Sequence, residues 1–357
     1  MRYIISGGGT GGHIYPALAL VEEIKKQDKE AEILYVGTPH GMEKELAESK
    51  GLQYRAISVQ GFRRKLGWQT VQTLAVLVKG IWGAFQTIRD FKPDVVIGTG
   101  GYVSGPIVML GSLKRGVFTA IQEQNAYPGV TNRILAKRVN LVFTAFQESH
   151  QWLKGAREVR LVGNPVRQAF YEQEAVAHEG FCVLSFGGSG GQSSLNQAIL
   201  EILENQTIDF EWIHATGKRH YQSFQAALPQ ELGKFQAAEY LPEIFDDMAR
   251  ADLVITGAGA ITIAELQALG KASILIPKAY TTEYHQFFNA KAMEDAGASL
   301  MCEEKDLSGQ WLLKSVEKIR QDRELMQNMQ KKAKEMSNDQ VTEEIFQSIW
   351  ERVKHDK

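Results

Sequence analysis

Cysteine is nearly absent: Cys182 and Cys302 are the only two in 357 residues, 120 positions apart, with no CxxC or His/Cys cluster beside either. That argues against a disulfide framework and a zinc module, and it fits a reducing compartment. Long apolar runs are also missing. The longest, Thr73 to Phe85, is broken by Lys79 and falls short of the ~20 residues that cross a bilayer. Met1 to Ile5 leads straight into a strand and a glycine turn, without the charged start and apolar stretch of a secretion signal, so a protein that stays in the cytosol is expected. No repeat array or low-complexity tract interrupts a composition of 44% hydrophobic and 23% charged residues. That is an ordinary globular balance. At 357 residues two domains are expected, since single cores stop growing before this size.

Net charge is small, −2, but its distribution is uneven. Residues 1–163 hold 21 Lys and Arg against 13 Asp and Glu, leaving 19 against 29 for the remainder. The first half should therefore face something anionic, a nucleic acid or an acidic membrane surface. It lacks the interleaved aromatics and modules of an RNA or DNA reader, so no nucleic-acid partner is expected.

What the chain does have is alternation. Apolar runs of strand length are separated by helix-period stretches, the pattern of a doubly wound parallel α/β sheet. Tyr3 to Ser6, Ile33 to Val36, Val95 to Gly98, Val117 to Ile121 and Leu141 to Phe143 read as strands of the first half. Phe181 to Phe186, Phe210 to His214, Leu253 to Thr256 and Ser273 to Ile276 read as strands of the second. The turn cluster Gly163-Asn164-Pro165 marks the expected boundary.

Glycine-rich turns follow these strands. Gly8-Gly9-Thr10-Gly11-Gly12-His13 and Gly187-Gly188-Ser189-Gly190-Gly191-Gln192 each follow an apolar strand and open a helix, 179 residues apart. Two copies of one α/β unit, binding a ligand at the carboxyl ends of their strands, are the simplest reading. Two more such turns are Gly98 to Gly105 and Gly257 to Ala260. Gly7-x-Gly9-x-x-Gly12 matches the dinucleotide fingerprint, in which backbone N–H groups approach a pyrophosphate. A nicotinamide site also needs an acid at the end of the second strand, and Tyr35-Val36-Gly37-Thr38 supplies none. Anion binding survives this test and dehydrogenase chemistry does not.

His13 stands at the mouth of the first helix, where an imidazole suits a general base near neutral pH. The second copy carries Gln192 there, so the turn itself does not demand His. Glu265, one turn into the helix after Gly257 to Ala260, could accept hydroxyl hydrogen bonds from a ribose.

Together these residues resemble the MurG family of UDP-N-acetylglucosamine transferases, within glycosyltransferase family 28. The resemblance rests on Gly7 to His13, Gly100 to Pro106, Glu123-Gln124-Asn125, Gly163 to Arg167, Gly187-Gly188-Ser189 and Gly257 to Glu265, which fall in the family's order across almost the whole chain. It implies a GT-B fold, two Rossmann-like doubly wound domains with an interdomain cleft. Residues 1–163 with a returning helix at 339–357 would form the acceptor and membrane-facing domain, and residues 164–338 the donor domain. The implied reaction is inverting transfer of N-acetylglucosamine to the C4 hydroxyl of the muramyl sugar of lipid I, giving lipid II, with no cofactor and no metal.

By the same resemblance, Ser189 and Arg167 lie near the donor diphosphate, the Leu241 backbone contacts uracil, Glu265 the ribose and Gln286 the sugar. Ala260, Ile261, Thr262, Ile263 and Ala264 line the same site, and Thr10, Gly11, Gly12 and Asn125 reach the donor from the first domain. His13 is the expected base, with Glu123 in reserve. The acceptor's lipid stays in the bilayer, so a peripheral position on the cytoplasmic membrane face is implied, beside other cell-wall synthesis proteins. Arg63-Arg64-Lys65, Lys79, Lys114-Arg115 and Lys137-Arg138 would supply charge, and Leu74, Val78, Trp82 and Phe85 an apolar face. The competing readings are another UDP-sugar enzyme of the same fold, an epimerase or a glycolipid synthase, and a non-enzymatic nucleotide-binding module.

Overall fold

A parallel strand buried on both faces reads as an unbroken apolar run, and all nine runs become strands in the computed structural model. It describes residues 1–59, 68–173, 176, 178–188, 190–242 and 244–355, with the backbone alone at 68–77 and 282. Ser189 and the cluster Arg63-Arg64-Lys65 lie outside the described residues, as does the Leu74 side chain.

The first sheet contains β1 (Arg2–Gly7), β2 (Glu32–Gly37), β3 (Gln53–Ala56), β4 (Val95–Gly100), β5 (Phe118–Glu123), β6 (Leu141–Thr144) and β7 (Val159–Leu161), in the order β3-β2-β1-β4-β5-β6-β7. The second contains β8 (Cys182–Phe186), β9 (Ile208–Ala215), β10 (Gly233–Ala238), β11 (Leu253–Thr256), β12 (Ala272–Leu275) and β13 (Ser299–Met301), in the order β10-β9-β8-β11-β12-β13. All neighbours pair in parallel. β3, β7, β10 and β13 were not expected from the sequence. They are the four edges of the two sheets, and their partly exposed residues leave no apolar run to read.

Strand order reverses between β1 and β4 in the first sheet and between β8 and β11 in the second. Helices diverge at such a point and open a crevice at the carboxyl ends of the strands. The four glycine turns follow these four strands.

The chain divides into two units, Met1–Val166 with Gln340–Lys357, and Arg167–Asp339. The first division falls three residues beyond the Gly163 boundary read from the sequence, and the second one residue beyond 338. Hydrogen bonding explains the first: Gln122 Nε2 donates to Asn164 Oδ1 at 2.9 Å, and Asn164 Nδ2 to Gln124 O at 3.0 Å. Asn164 is thereby part of the first unit. Helix Gly11–Gln27 covers one face of the first sheet together with helix Val341–His355, whose Val341, Ile345, Phe346, Ile349 and Val353 join Tyr3, Ile5, Leu20 and Ile24 in one core. Arg352 pairs with Glu158 at 2.8 Å beside it. The opposite face holds Ile4, Val36, Ile97's neighbour Val96, Ala84 and Ile88 against Ile107 and Val108. The second unit has its own core around Val183, Trp212, Ile255 and Ile274.

Candidate active site

The first glycine turn is held from below. Tyr35 OH donates to Gly7 O at 2.8 Å, and Thr99 Oγ1 to His13 O at 2.7 Å. Gly100 and Gly101, at φ +110° and +79°, close over it from β4. A Cβ on Gly101 would strike Gly8 O, and one on Gly100 would stand 2.6 Å from His13 Cδ2. Glycine here therefore makes room for the imidazole as well as for the turn.

His13 is half-buried in the first turn of helix Gly11–Gln27. Its Nδ1 lies 3.2 Å from Gly8 O and 3.4 Å from Thr10 Oγ1. A carbonyl oxygen only accepts, so Nδ1 donates to it, and in the neutral ring Nε2 is then the nitrogen that bears the lone pair. That is the tautomer a base requires. Gly11 and Gly12 open the same helix, and Thr10 stands at its cap position without a side-chain cap bond.

Glu123 is in a different state. Its buried carboxylate accepts from Asn125 N at 2.9 Å, Asn125 Nδ2 at 3.1 Å, Gly129 N at 3.0 Å and Asn132 Nδ2 at 2.8 Å. Four donors occupy both oxygens, so this group braces the 123–132 loop and positions Asn125. Glu43 is buried against Gly8 and was not read from the sequence. Its Oε1 accepts from Thr38 N at 2.9 Å and Thr38 Oγ1 at 2.7 Å.

In the second unit the glycine turn leads into helix Ser193–Asn205, with Gln192 at the cap. Relative to the shared motif the helix starts later than in the first unit, so Gln192 does not occupy the place of His13 within the helix. Its Nε2 donates to Ile276 O at 3.1 Å and Glu304 Oε1 at 2.9 Å, which locks the carboxamide. Gly191, at φ +74°, packs against Gly217 of the next turn.

Helix Ala260–Leu269 follows β11, with Ala260, Ile261 and Thr262 in its first turn. Ile263 and Ala264 turn their side chains into the core, and Ile263 N donates to Gly259 O at 2.9 Å. These two residues therefore shape the site through the helix rather than facing it. Burial pushes the Glu265 carboxyl up to about 7, and the Arg167 guanidinium pulls it back. Arg167 stacks on Phe170, 5.1 Å from the ring centroid. Gln286 Oε1 accepts from Lys278 N at 2.9 Å and Ala258 N at 3.2 Å, so the amide NH2 is the end it offers. Leu241 is half-buried beyond the carboxyl end of β10. Arg167, Leu241, Ala260 to Thr262, Glu265 and Gln286 thus share one unit, while His13, Thr10 to Gly12 and Asn125 share the other.

The glycosyltransferase family 28 N-terminal domain matches residues 3–144, and the C-terminal domain of that family matches residues 182–345. The chain belongs to glycosyltransferase family 28. Among its relatives, the UDP-N-acetylglucosamine–N-acetylmuramyl-(pentapeptide) pyrophosphoryl-undecaprenol N-acetylglucosamine transferase of Finegoldia magna is 41% identical, with 100% of each chain covered. The transferase of the same name from Clostridioides difficile is 40% identical over 98% of this chain and 88% of its own. The crystal structure of Acinetobacter baumannii MurG superposes with a TM-score of 0.82 at 26% identity, covering 98% of this chain and 99% of that one. A UDP-GlcNAc 2-epimerase from Neisseria meningitidis, bound to UDP-GlcNAc, reaches 0.70 at 14% identity over 98% and 100% of the two chains, a likeness of fold alone. This family 28 chain is a glycosyltransferase, and its two parallel-sheet units are those of the GT-B fold.

Lys278, Glu304 and Gln192 were not singled out for the second site. A search for cations just beyond the carboxyl ends of strands would have found Lys278, three residues past β12.

Proposed function

We propose that this family 28 enzyme transfers N-acetylglucosamine from UDP-N-acetylglucosamine to the C4 hydroxyl of the muramyl sugar of lipid I, undecaprenyl-diphosphate-linked muramyl pentapeptide, forming lipid II with inversion. The observation that carries the reading is the unequal pair of glycine turns. The first ends on an imidazole whose Nδ1 is turned to Gly8 O, which in the neutral ring leaves the lone pair on Nε2, and the second ends on a carboxamide already committed to Glu304. One unit supplies a base and the other a donor site.

In the transfer, His13 Nε2 takes the hydroxyl proton while the oxygen attacks the anomeric carbon and the bond to UDP breaks on the opposite face. Glu265 accepts from the ribose hydroxyls, the Gln286 amide donates to the sugar, and the Leu241 backbone meets uracil. Ser189, Arg167 and the opening turn of helix Ala260–Leu269 receive the leaving diphosphate. Thr10, Gly11, Gly12 and Asn125 complete the donor contacts from the first unit. The four donors on Glu123 favour His13 as the base.

A membrane position follows from the acceptor. No helix among the described residues is long and apolar enough to cross a bilayer. Helix Trp68–Phe91 exposes Val78, Ile81, Trp82 and Phe85 beside Lys79, with Trp82 57% exposed. Lys114, Arg115, Lys137 and Arg138 are exposed on neighbouring segments. The apolar residues would enter the interface of the cytoplasmic leaflet while each cation adds about 1 kcal/mol at an anionic surface.

Incubating the protein with UDP-N-acetylglucosamine and a short-chain lipid I analogue tests the reaction. Disaccharide product is expected, and conversion of the sugar nucleotide without acceptor would indicate an epimerase instead. His13→Ala should lower transfer about 100-fold or more with UDP affinity retained, and a loss of only a few-fold would remove His13 as the base. Cosedimentation with anionic vesicles at low salt should fall when the basic clusters are neutralised.

A further inference from the structure

Lys278 is a cation that makes no ion pair among the described residues, although the Glu304 carboxylate acts on it electrostatically. It lies in the loop beyond β12, half-buried, and its Nζ donates to Gly191 O at 3.0 Å, within the second glycine turn. No ion pair among the described residues neutralises it. The loop is pinned on both sides. Lys278 N donates to Gln286 Oε1 at 2.9 Å, and Ala279 N to Glu304 Oε2 at 2.8 Å. Glu304 Oε1 in turn accepts from Ser194 Oγ at 2.6 Å and Gln192 Nε2 at 2.9 Å. The lysine is therefore placed by five hydrogen bonds that join three separate segments to the turn.

A second side chain borders the same space. Gln192 Oε1 is buried and has no hydrogen-bond partner among the described residues. It lies 3.4 Å from the point where a Cβ on Gly257 would stand, as does Gln286 Oε1, and Lys278 Cε lies 3.7 Å from that point. Glycine at 257 leaves this spot open, at the head of the turn that leads into helix Ala260–Leu269. An ammonium has three hydrogens. Gly191 O takes one, the Tyr280 ring lies 6.0 Å from Nζ, and no further hydrogen-bond acceptor meets the ammonium among the described residues.

We propose that Lys278 receives the diphosphate of the sugar donor, its ammonium joining the second glycine turn to the phosphoryl oxygens of the leaving nucleotide. The proposal rests on the reading that this turn holds a UDP-sugar. Arg167, the cation that the family resemblance places near the diphosphate, also acts on Glu265 and stacks on Phe170, so it is not the only charge the site can offer. A half-buried point charge is costly to keep, and phosphate is the ligand class for which lysine is suited. As the bond from the anomeric carbon to oxygen breaks, its electron pair stays on the diphosphate, so the cation stabilises the transition state more than the bound donor. Burial lowers the Lys278 pKa from its ordinary value, with Glu304 acting in the opposite direction. A bound anion raises it again, so UDP binding in alkaline solution takes up a proton.

The test compares UDP and uridine binding by calorimetry in the wild-type protein, Lys278→Met and Lys278→Arg. Lys278→Met should weaken UDP by about tenfold or more and leave uridine unchanged, with the alkaline proton uptake lost. Lys278→Arg should recover most of the UDP affinity. In transfer assays kcat should fall by a larger factor than KM rises. Equal losses for UDP and uridine would mean that Lys278 only shapes the loop, and unchanged UDP affinity would also overturn the proposal. A wild-type protein that binds neither compound would instead refute the reading of the turn as a nucleotide site.

Discussion

Replacing Glu265 with glutamine should make the unliganded protein more stable in alkaline solution while damaging the enzyme. Burial holds the carboxyl at about 7 against its ordinary 4.5. At about 1.36 kcal/mol for each pH unit of displacement, the ionised fold carries a penalty of about 3 kcal/mol. The pKa is raised in the fold, so the penalty is absent below 4.5, where folded and unfolded chains are both protonated. It grows as pH rises and is complete above about 7. Urea denaturation across this range should show Glu265→Gln and wild type diverging with rising pH, the variant gaining up to about 3 kcal/mol. Ribose hydroxyls would offset the penalty by donating to the carboxylate. Uridine should therefore bind wild type with release of a proton near neutral pH, and bind the variant about tenfold or more weakly. Denaturation curves that stay parallel across the range would refute the reasoning, because the carboxyl would then feel no burial penalty.

Other outcomes follow from the same contacts. Glu123→Ala should cost about 3 kcal/mol by urea denaturation, since it strands Asn125, Gly129 and Asn132 donors in a buried loop. Gly101→Ala should destabilise the first unit by about 2 kcal/mol and abolish transfer, because its Cβ would meet Gly8 O at a φ of +79°. His214 is buried between Ser185 and Asn196, and desolvation lowers its pKa from 6.5 to about 3. The second unit should therefore be fully stable above 6.5 and lose stability as pH falls toward about 3, and His214→Gln should flatten that decline in an acid-denaturation series.

The nine central strands were legible because burial on both faces writes an apolar run into the sequence. Edge strands such as Val159–Leu161 carry no such mark, since their pairing is supplied by a neighbour remote in the chain. The glycine turns could be read as anion sites, but their clustering at the two reversals of strand order could not, because order is a property of the assembled sheet. His13 was visible as a residue and its tautomer was not, since Gly8 O fixes it. Glu123 was legible as a candidate base, but the donors that occupy its carboxylate were not, because Gly129 and Asn132 reach it only in the folded loop. Lys278 meets Gly191 across 87 positions, a contact that no local pattern encodes.

Helix Val341–His355 has a consequence for biosynthesis. It closes over Tyr3, Leu20 and Ile24, residues made far earlier in the chain. During translation the second unit is complete in sequence while the first still lacks this cover. The apolar face that the ribosome releases first is thus the last to be sealed, and a chain stopped before 341 would present it to chaperones, to proteases or to another nascent copy.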